Sequence, residues 1–354
     1  VSEPLPGGPG LSEEEIIRLA GALAAGAAGA GPSAGLKLGI GDDAAVLDLA
    51  QGEYVVTTDL MVEGVHFDLA LMAPADVGWR AMAANLSDLA AMGALPRWGF
   101  LSLGLKPPAR EDLVRGLLGG MLELGSTHGL ALAGGDTVRA PVGLVNLCLI
   151  GAMAGVTPVT RAGARAGQAV CVTGWLGQAA GGLAWLQAGG DAKDPLAAPL
   201  VAAHRRPTPR LAAGRALAVS GLVTAMMDLS DGVASDLARL ALASGEAAGA
   251  PLGAVVAAEA VPVSEAAGEA AQRLGADALA WALTGGEDFE LLFTCRPADA
   301  PALARAVQAA EPGLAVTVLG EITAEPGLWL AHADGRRAEM SFQGYDHFGY
   351  DHFR

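Results

Sequence analysis

The chain has 354 residues, of which 17% are charged, and a formal net charge of −16. That length accommodates two domains with sizeable cores. The acidic balance excludes a general nucleic-acid binder, which would carry a basic face. Three separated cysteines, Cys148, Cys171 and Cys295, lie in apolar runs and read as buried thiols, not as a disulfide framework.

Residues 1–10 are acidic and rich in Pro and Gly; they read as disordered and lack the basic start of a signal peptide. The uncharged stretch 19–36 is mostly Ala and Gly with Pro32 inside, a poor membrane span, so a soluble cytoplasmic protein is expected. Ser12-Glu13-Glu14-Glu15 forms a capping-box pattern that opens a helix. Residues 44–49 and 54–58 read as strands. A helical pattern covers 76–92 and stops at Gly93, with Pro96 following. A second helix is expected over 108–129, then strands over 130–133 and 142–154 flanking a turn at Gly134-Gly135-Asp136.

Residues 155–168 are small, polar and basic without an apolar period, and the domain boundary is set there, giving domains 1–154 and 155–354. The second domain opens with a strand at 169–173, a glycine turn at 174–177 and a helix to about residue 188. Residues 191–199 and the basic, Pro-punctuated 204–210 read as loops. Strands follow at 223–227, 290–295 and 315–319, with helices at 234–243 and 300–310. The elements intermix without a clean βαβ rhythm. An α+β fold is therefore expected, two layered domains of mixed sheets covered by helices.

The chemistry-bearing feature is a set of carboxylates at small-residue bends: Asp42 and Asp43, Asp59, Asp88, Asp136, and Asp228 with Asp231. Ionised acids in apolar surroundings are costly unless paired or metal-bound. The only lysines are Lys37, Lys106 and Lys193, too few to pair with them all. Hard divalent cations are the alternative, and oxygen-only clusters suit magnesium together with phosphates. Gly39-Ile40-Gly41-Asp42-Asp43-Ala44 matches a dinucleotide fingerprint in spacing, but its two acids would repel a pyrophosphate; a plain turn there stays open. Thr57, Thr58 and Asp59 make a compact oxygen set at a strand end. Asn85 and Asp88 share one face of a helix and need partners, from a metal or from a neighbouring loop. Ser230 and Asp231 stand before a helix and suit either an anion site or a helix cap. Gly285-Gly286-Glu287-Asp288 adds a second acid pair, in which the role of Asp288 stays open. No P-loop lysine pattern and no protein-kinase signature occurs. Arg161, Arg206 and Arg210 are the cationic candidates for phosphate contact.

The segments GIGDDAAV, TTDLMVEGVHF, NLSDLAAMGA, GGDT, TPVTRAGA, DLSDG, LTGGEDFELLF and GYDHF, in this order, resemble the thiamine-monophosphate kinase family. Its superfamily also holds aminoimidazole ribonucleotide synthetase and selenophosphate synthetase. The resemblance implies a homodimer built through N-terminal domains, ATP as co-substrate, several Mg²⁺ ions, and phosphorylation of thiamine monophosphate to thiamine diphosphate. It implies metal ligands at Asp43, Thr57, Thr58, Asp59, Asp88, Asp136, Asp228 and Asp231. It implies nucleotide contacts at Gly135, Asp136, Arg161 and Ser230, and substrate contacts at His66 and Glu287, with Phe342 stacking on the substrate. No covalent nucleophile is implied. The tail departs from the family pattern, because GYDHF occurs twice in succession at 344–348 and 349–353.

Overall fold

The structure is a computed structural model and describes residues 10–27, 35–40 and 45–340. Asp42, Asp43, Phe342 and the doubled tail lie outside the described residues, as does all but Gly10 of the expected disordered start. The chain divides into two compact units, one of Val1–Leu89 with Leu95–Gly155 and one of Ala90–Ala94 with Val156–Arg354.

In the first unit, α1 (Glu13–Ala27) is opened by the expected capping box: Glu15 accepts the Ser12 amide at 2.7 Å, and the Ser12 hydroxyl accepts the Glu15 amide at 3.3 Å. A small antiparallel pair follows, β1 (Leu36–Leu38) and β2 (Val46–Leu47). Then come β3 (Tyr54–Val62), α2 (Pro74–Met92), β4 (Leu95–Leu105), α3 (Glu111–Thr127), β5 (Ala131–Arg139) and β6 (Leu144–Ala152). The four longer strands form a mixed sheet in the order β3-β6-β4-β5, parallel only between β4 and β5. One face buries Leu101, Leu103, Val145, Leu147 and Leu149. The other leaves Val56, Leu60 and Val138 exposed.

Two local expectations fail here. Strand β4 is unexpected, because its run of apolar residues broken by Gly99 and Gly104 shows no alternation. Gly134-Gly135-Asp136 is not a turn: it lies inside β5, which continues to Arg139. Glycine is required there by closeness. A Cβ on Gly135 would sit 1.8 Å from the Leu101 carbonyl oxygen of the paired strand.

In the second unit the order is β7 (Ala169–Thr173), α4 (Gln178–Gln187), α5 (Ala198–Arg205), α6 (Leu211–Ser220), β8 (Val223–Asp228), α7 (Val233–Ala248), β9 (Gly253–Ala257), α8 (Glu265–Leu274), α9 (Ala278–Thr284), β10 (Leu291–Cys295), α10 (Ala300–Ala310), β11 (Val316–Thr323), β12 (Gly327–Ala331) and β13 (Arg337–Glu339). The seven strands make one sheet, β13-β12-β9-β11-β7-β10-β8, antiparallel except where β12 meets β9. Val170, Val172, Met227, Leu292 and Leu319 form a core with Leu237 and Leu240 of α7 and Leu283 of α9. Helix α5 takes in His204 and Arg205, the first two residues of the segment expected to be a loop. Both units carry mixed sheets with helices, the expected α+β class. Among the described residues, no helix is long and apolar enough to cross a membrane.

Candidate active site

In the first unit the site is built on β3 and α2. Thr57 and Asp59 point to the same face of β3, since alternate residues share a side. Thr57 donates its hydroxyl hydrogen to Asp88 on α2. Burial pushes the Asp59 carboxyl up to about 6, and the charge of Asp88 adds to the shift. Thr58, on the opposite face, donates to Oδ1 of Asn146 on β6 at 3.1 Å. Asn85, one turn before Asp88 and fully buried, donates to the Ala81 carbonyl at 3.0 Å, while its Oδ1 has no protein partner.

This donor set suits a hard divalent cation. Its atoms are all oxygens, and two like charges stand near each other in partly desolvated surroundings that a cation would relieve. Among the described residues, however, no group of three or more His, Cys, Asp or Glu side chains is gathered as a ready metal site.

Asp136 stands apart from the Asp59–Asp88 pair. It lies on β5, the opposite edge strand from β3, about 14 Å away at three strand spacings. The register aligns Asp136 with Ser102, Asn146 and Leu60, and Asp59 with Leu147 and Leu101. These adjacent rows project from opposite faces of the sheet. Asp136 is exposed and caps the following Thr137 amide at 2.8 Å. His66 follows the end of β3 and accepts the Val62 amide on Nδ1 at 3.0 Å, which sets that nitrogen as the unprotonated one.

In the second unit the site is the loop between β8 and α7. Asp228, buried, ends β8. Neither Ser230 nor Asp231 caps α7, whose N-cap is Gly232. Instead their two amides donate to Asp236 at 3.1 and 3.0 Å. Asp236 is fully buried in the first turn of α7, and burial pushes its carboxyl up to about 7. Arg239, one turn further on, bonds both Asp236, at 3.0 Å, and Asp231. Asp231 thus already has a cationic partner.

The loop before β10 packs against this one. The Glu287 amide donates to the Ser230 carbonyl at 2.8 Å and the Phe289 amide to the Leu229 carbonyl at 2.9 Å. Arg161 is exposed on a segment tied to α7, where the Ser244 hydroxyl accepts the Gly163 and Ala164 amides and donates to the Arg161 carbonyl.

Arg210 does not fit the phosphate role considered for it. Its guanidinium grips Glu290 with two nitrogens, one at 2.9 Å, and reaches Glu311 with the third. Glu290 is buried and also accepts the Thr173 hydroxyl at 2.6 Å. Sequence reasoning missed Asp236, Arg239 and Asn146. An acid in the first helical turn five residues after Asp231 was the available signal for Asp236; a polar residue in an apolar strand was the signal for Asn146.

Residues 41–157 match the family described as AIR synthase related protein, N-terminal domain, and residues 165–331 match its C-terminal domain. The chain is 38% identical to thiamine-monophosphate kinase of Escherichia coli K12 over 318 residues, covering 88% of this chain and 92% of the relative. Its fold matches a crystal structure of thiamine-monophosphate kinase from Stenotrophomonas maltophilia K279a with a TM-score of 0.77 at 35% identity, covering 91% of this chain and 95% of the other. It also matches a structure described as AaThiL complexed with AMPPCP and TMP, with a TM-score of 0.72 at 29% identity, over 87% and 92% of the two chains. With both halves matched and nearly the full length of a relative covered, the chain belongs to the thiamine-monophosphate kinase family.

Proposed function

We propose that the protein transfers the γ-phosphoryl group of ATP to the phosphate of thiamine monophosphate, forming thiamine diphosphate. The observation that carries this reading is family membership along 92% of the Escherichia coli kinase. The AaThiL structure, solved with AMPPCP and TMP, supports the pairing of a nucleotide with a phosphorylated acceptor.

The acceptor is a phosphate oxygen, already ionised near neutral pH, so no strong general base is required. The obstacle is repulsion between two anionic groups. Magnesium, when bound, screens that repulsion and holds the phosphates for attack. Asp59, Asp88 and Thr57, with Asp43, would hold such ions in the N-terminal domain, residues 1–154, and Thr58, on the other face of β3, would hold an ion apart from them. Asp228 and Asp231 would do so in the C-terminal domain, residues 155–354. Asp136 and Gly135 would serve the nucleotide apart from the Asp59–Asp88 pair, along with Arg161 and Ser230. His66 and Glu287 would contact thiamine monophosphate, and Phe342 would stack on it. Transfer is direct and in line, without a covalent enzyme intermediate.

A homodimer through the N-terminal domain is part of this reading. It is supported by the open sheet face, where Val56, Leu60 and Val138 are exposed in one chain. A cytoplasmic location follows from the need for ATP.

The deciding experiment measures thiamine diphosphate formed from ATP and thiamine monophosphate, with and without Mg²⁺. Magnesium-dependent product supports the reading; release of inorganic phosphate without thiamine diphosphate rejects it. Inversion at a chiral γ-phosphorus is expected, and retention would reject direct transfer.

A further inference from the structure

The segment between α9 and β10 carries two non-glycine residues with left-handed backbones, Glu287 at φ 60° and Phe289 at φ 50°. Such conformations are sparsely populated for residues with a Cβ, and they persist only where the surroundings over-determine them. Asp288 lies between the two. Its carboxylate accepts the Gly177 amide at 2.7 Å and the Ala179 amide at 3.3 Å. Those amides belong to the start of α4, whose N-cap, Gly177, has no side chain to satisfy them. A carboxylate more than a hundred residues away in sequence supplies the cap, at the end of the helix that favours negative charge.

The backbone on either side of Asp288 is tied to the loop that carries Ser230. Glu287 bonds Ser230, Phe289 bonds Leu229, and the Leu229 amide returns to the Glu290 carbonyl at 2.8 Å. The approach is close enough that a Cβ on Gly286 would sit 2.5 Å from the Ser230 carbonyl oxygen. Three backbone hydrogen bonds therefore join two loops that carry different functional residues.

We infer that Asp288 is a positioning residue: by anchoring its strained segment to the start of α4, it holds Glu287 and Ser230 on one backbone ladder. The inference rests on the proposed function, in which Ser230 meets the nucleotide and Glu287 the thiamine substrate. Without the anchor, the segment relaxes from its left-handed geometry and the Glu287–Ser230 bond loosens. Both contact sets then move together. A purely structural role would lower thermal stability and the active fraction but would leave the KM values of the folded enzyme unchanged.

The test compares the full chain with Asp288→Ala and Asp288→Asn at saturating Mg²⁺. Asp288→Ala is expected to raise KM for ATP and for thiamine monophosphate together, each roughly tenfold, and to lower kcat. Asp288→Asn keeps one oxygen for the Gly177 amide and falls between it and the unaltered enzyme. The inference is overturned if both KM values of Asp288→Ala stay within twofold of the unaltered enzyme, or if only one of them rises. If the alanine variant does not fold, the asparagine variant decides alone, and unchanged KM values overturn the inference. An unaltered protein that makes no thiamine diphosphate rejects the functional reading instead. Calorimetric titration with AMPPCP then decides the inference, and equal affinities for the unaltered protein and Asp288→Asn overturn it.

Discussion

Thr57 on β3 donates its hydroxyl hydrogen to Asp88 on α2, and this bond holds the second carboxylate of the site close to the first, Asp59. Two like charges in partly desolvated surroundings raise the cost of the ionised state. Removing one of them should leave the fold intact while removing a candidate metal ligand. Asp59→Asn is expected to cut turnover at least a hundredfold, with a melting temperature equal to or above that of the unaltered protein. Turnover close to normal at saturating Mg²⁺ would take Asp59 out of the ligand set.

Arg210 is bound to Glu290 and Glu311, and Glu290 is only 4% exposed at its side chain. Breaking such a pair leaves a buried carboxylate without its cation. Arg210→Met is therefore expected to lose about 3–5 kcal/mol of stability in urea denaturation, with KM for ATP nearly unchanged in the folded fraction. Unchanged stability together with a raised KM for ATP would return Arg210 to the phosphate contacts.

Gly135 faces the Leu101 carbonyl across the β4–β5 pair, and the obstructing atom is backbone, which cannot rotate away. Gly135→Ala is expected to cost about 3 kcal/mol by forcing the strands apart. The loss would appear as a lower midpoint in chemical denaturation. A fully stable alanine variant would show that the edge strand can shift freely.

Asp288 gives a pH dependence of defined sign. Burial raises its folded-state pKa to about 7, against the backbone amides that favour the charged form. A carboxyl with a raised value is protonated in both states below about pH 4. As pH rises from about 4 to 7, the unfolded chain ionises first, so the folded state loses stability over that window. The loss should be about 1–3 kcal/mol, less than complete burial would give, because the Asp288 side chain is half-buried. Asp288→Asn should gain stability relative to the unaltered protein as pH rises through that range, read as the difference in melting temperature. A difference that stays constant with pH would contradict the assignment.

Much was legible in the sequence. The capping box at Ser12 and Glu15 works through residues three apart, so it needs no tertiary context. The strand ending at Asp228 and the helix that follows Gly232 are marked by β-branched residues and a glycine break, both local signals. The ordered motifs carried the family itself, because their types and spacing survive without knowledge of the fold.

What only the tertiary structure decided is where the partners of each polar group lie. Asp288 reads as one more acid beside a glycine pair until the start of α4 arrives at it from residues 177–179. Arg210 reads as a basic loop residue until Glu290 and Glu311 close on it. Gly134-Gly135-Asp136 reads as a turn until β4 pairs along its whole length and requires the missing Cβ. Helical and strand periods report which face of an element is apolar. They carry no information about which distant amide or guanidinium meets a given carboxylate, because hydrogen bonds of that kind are set by the packing of elements and not by the order of residues.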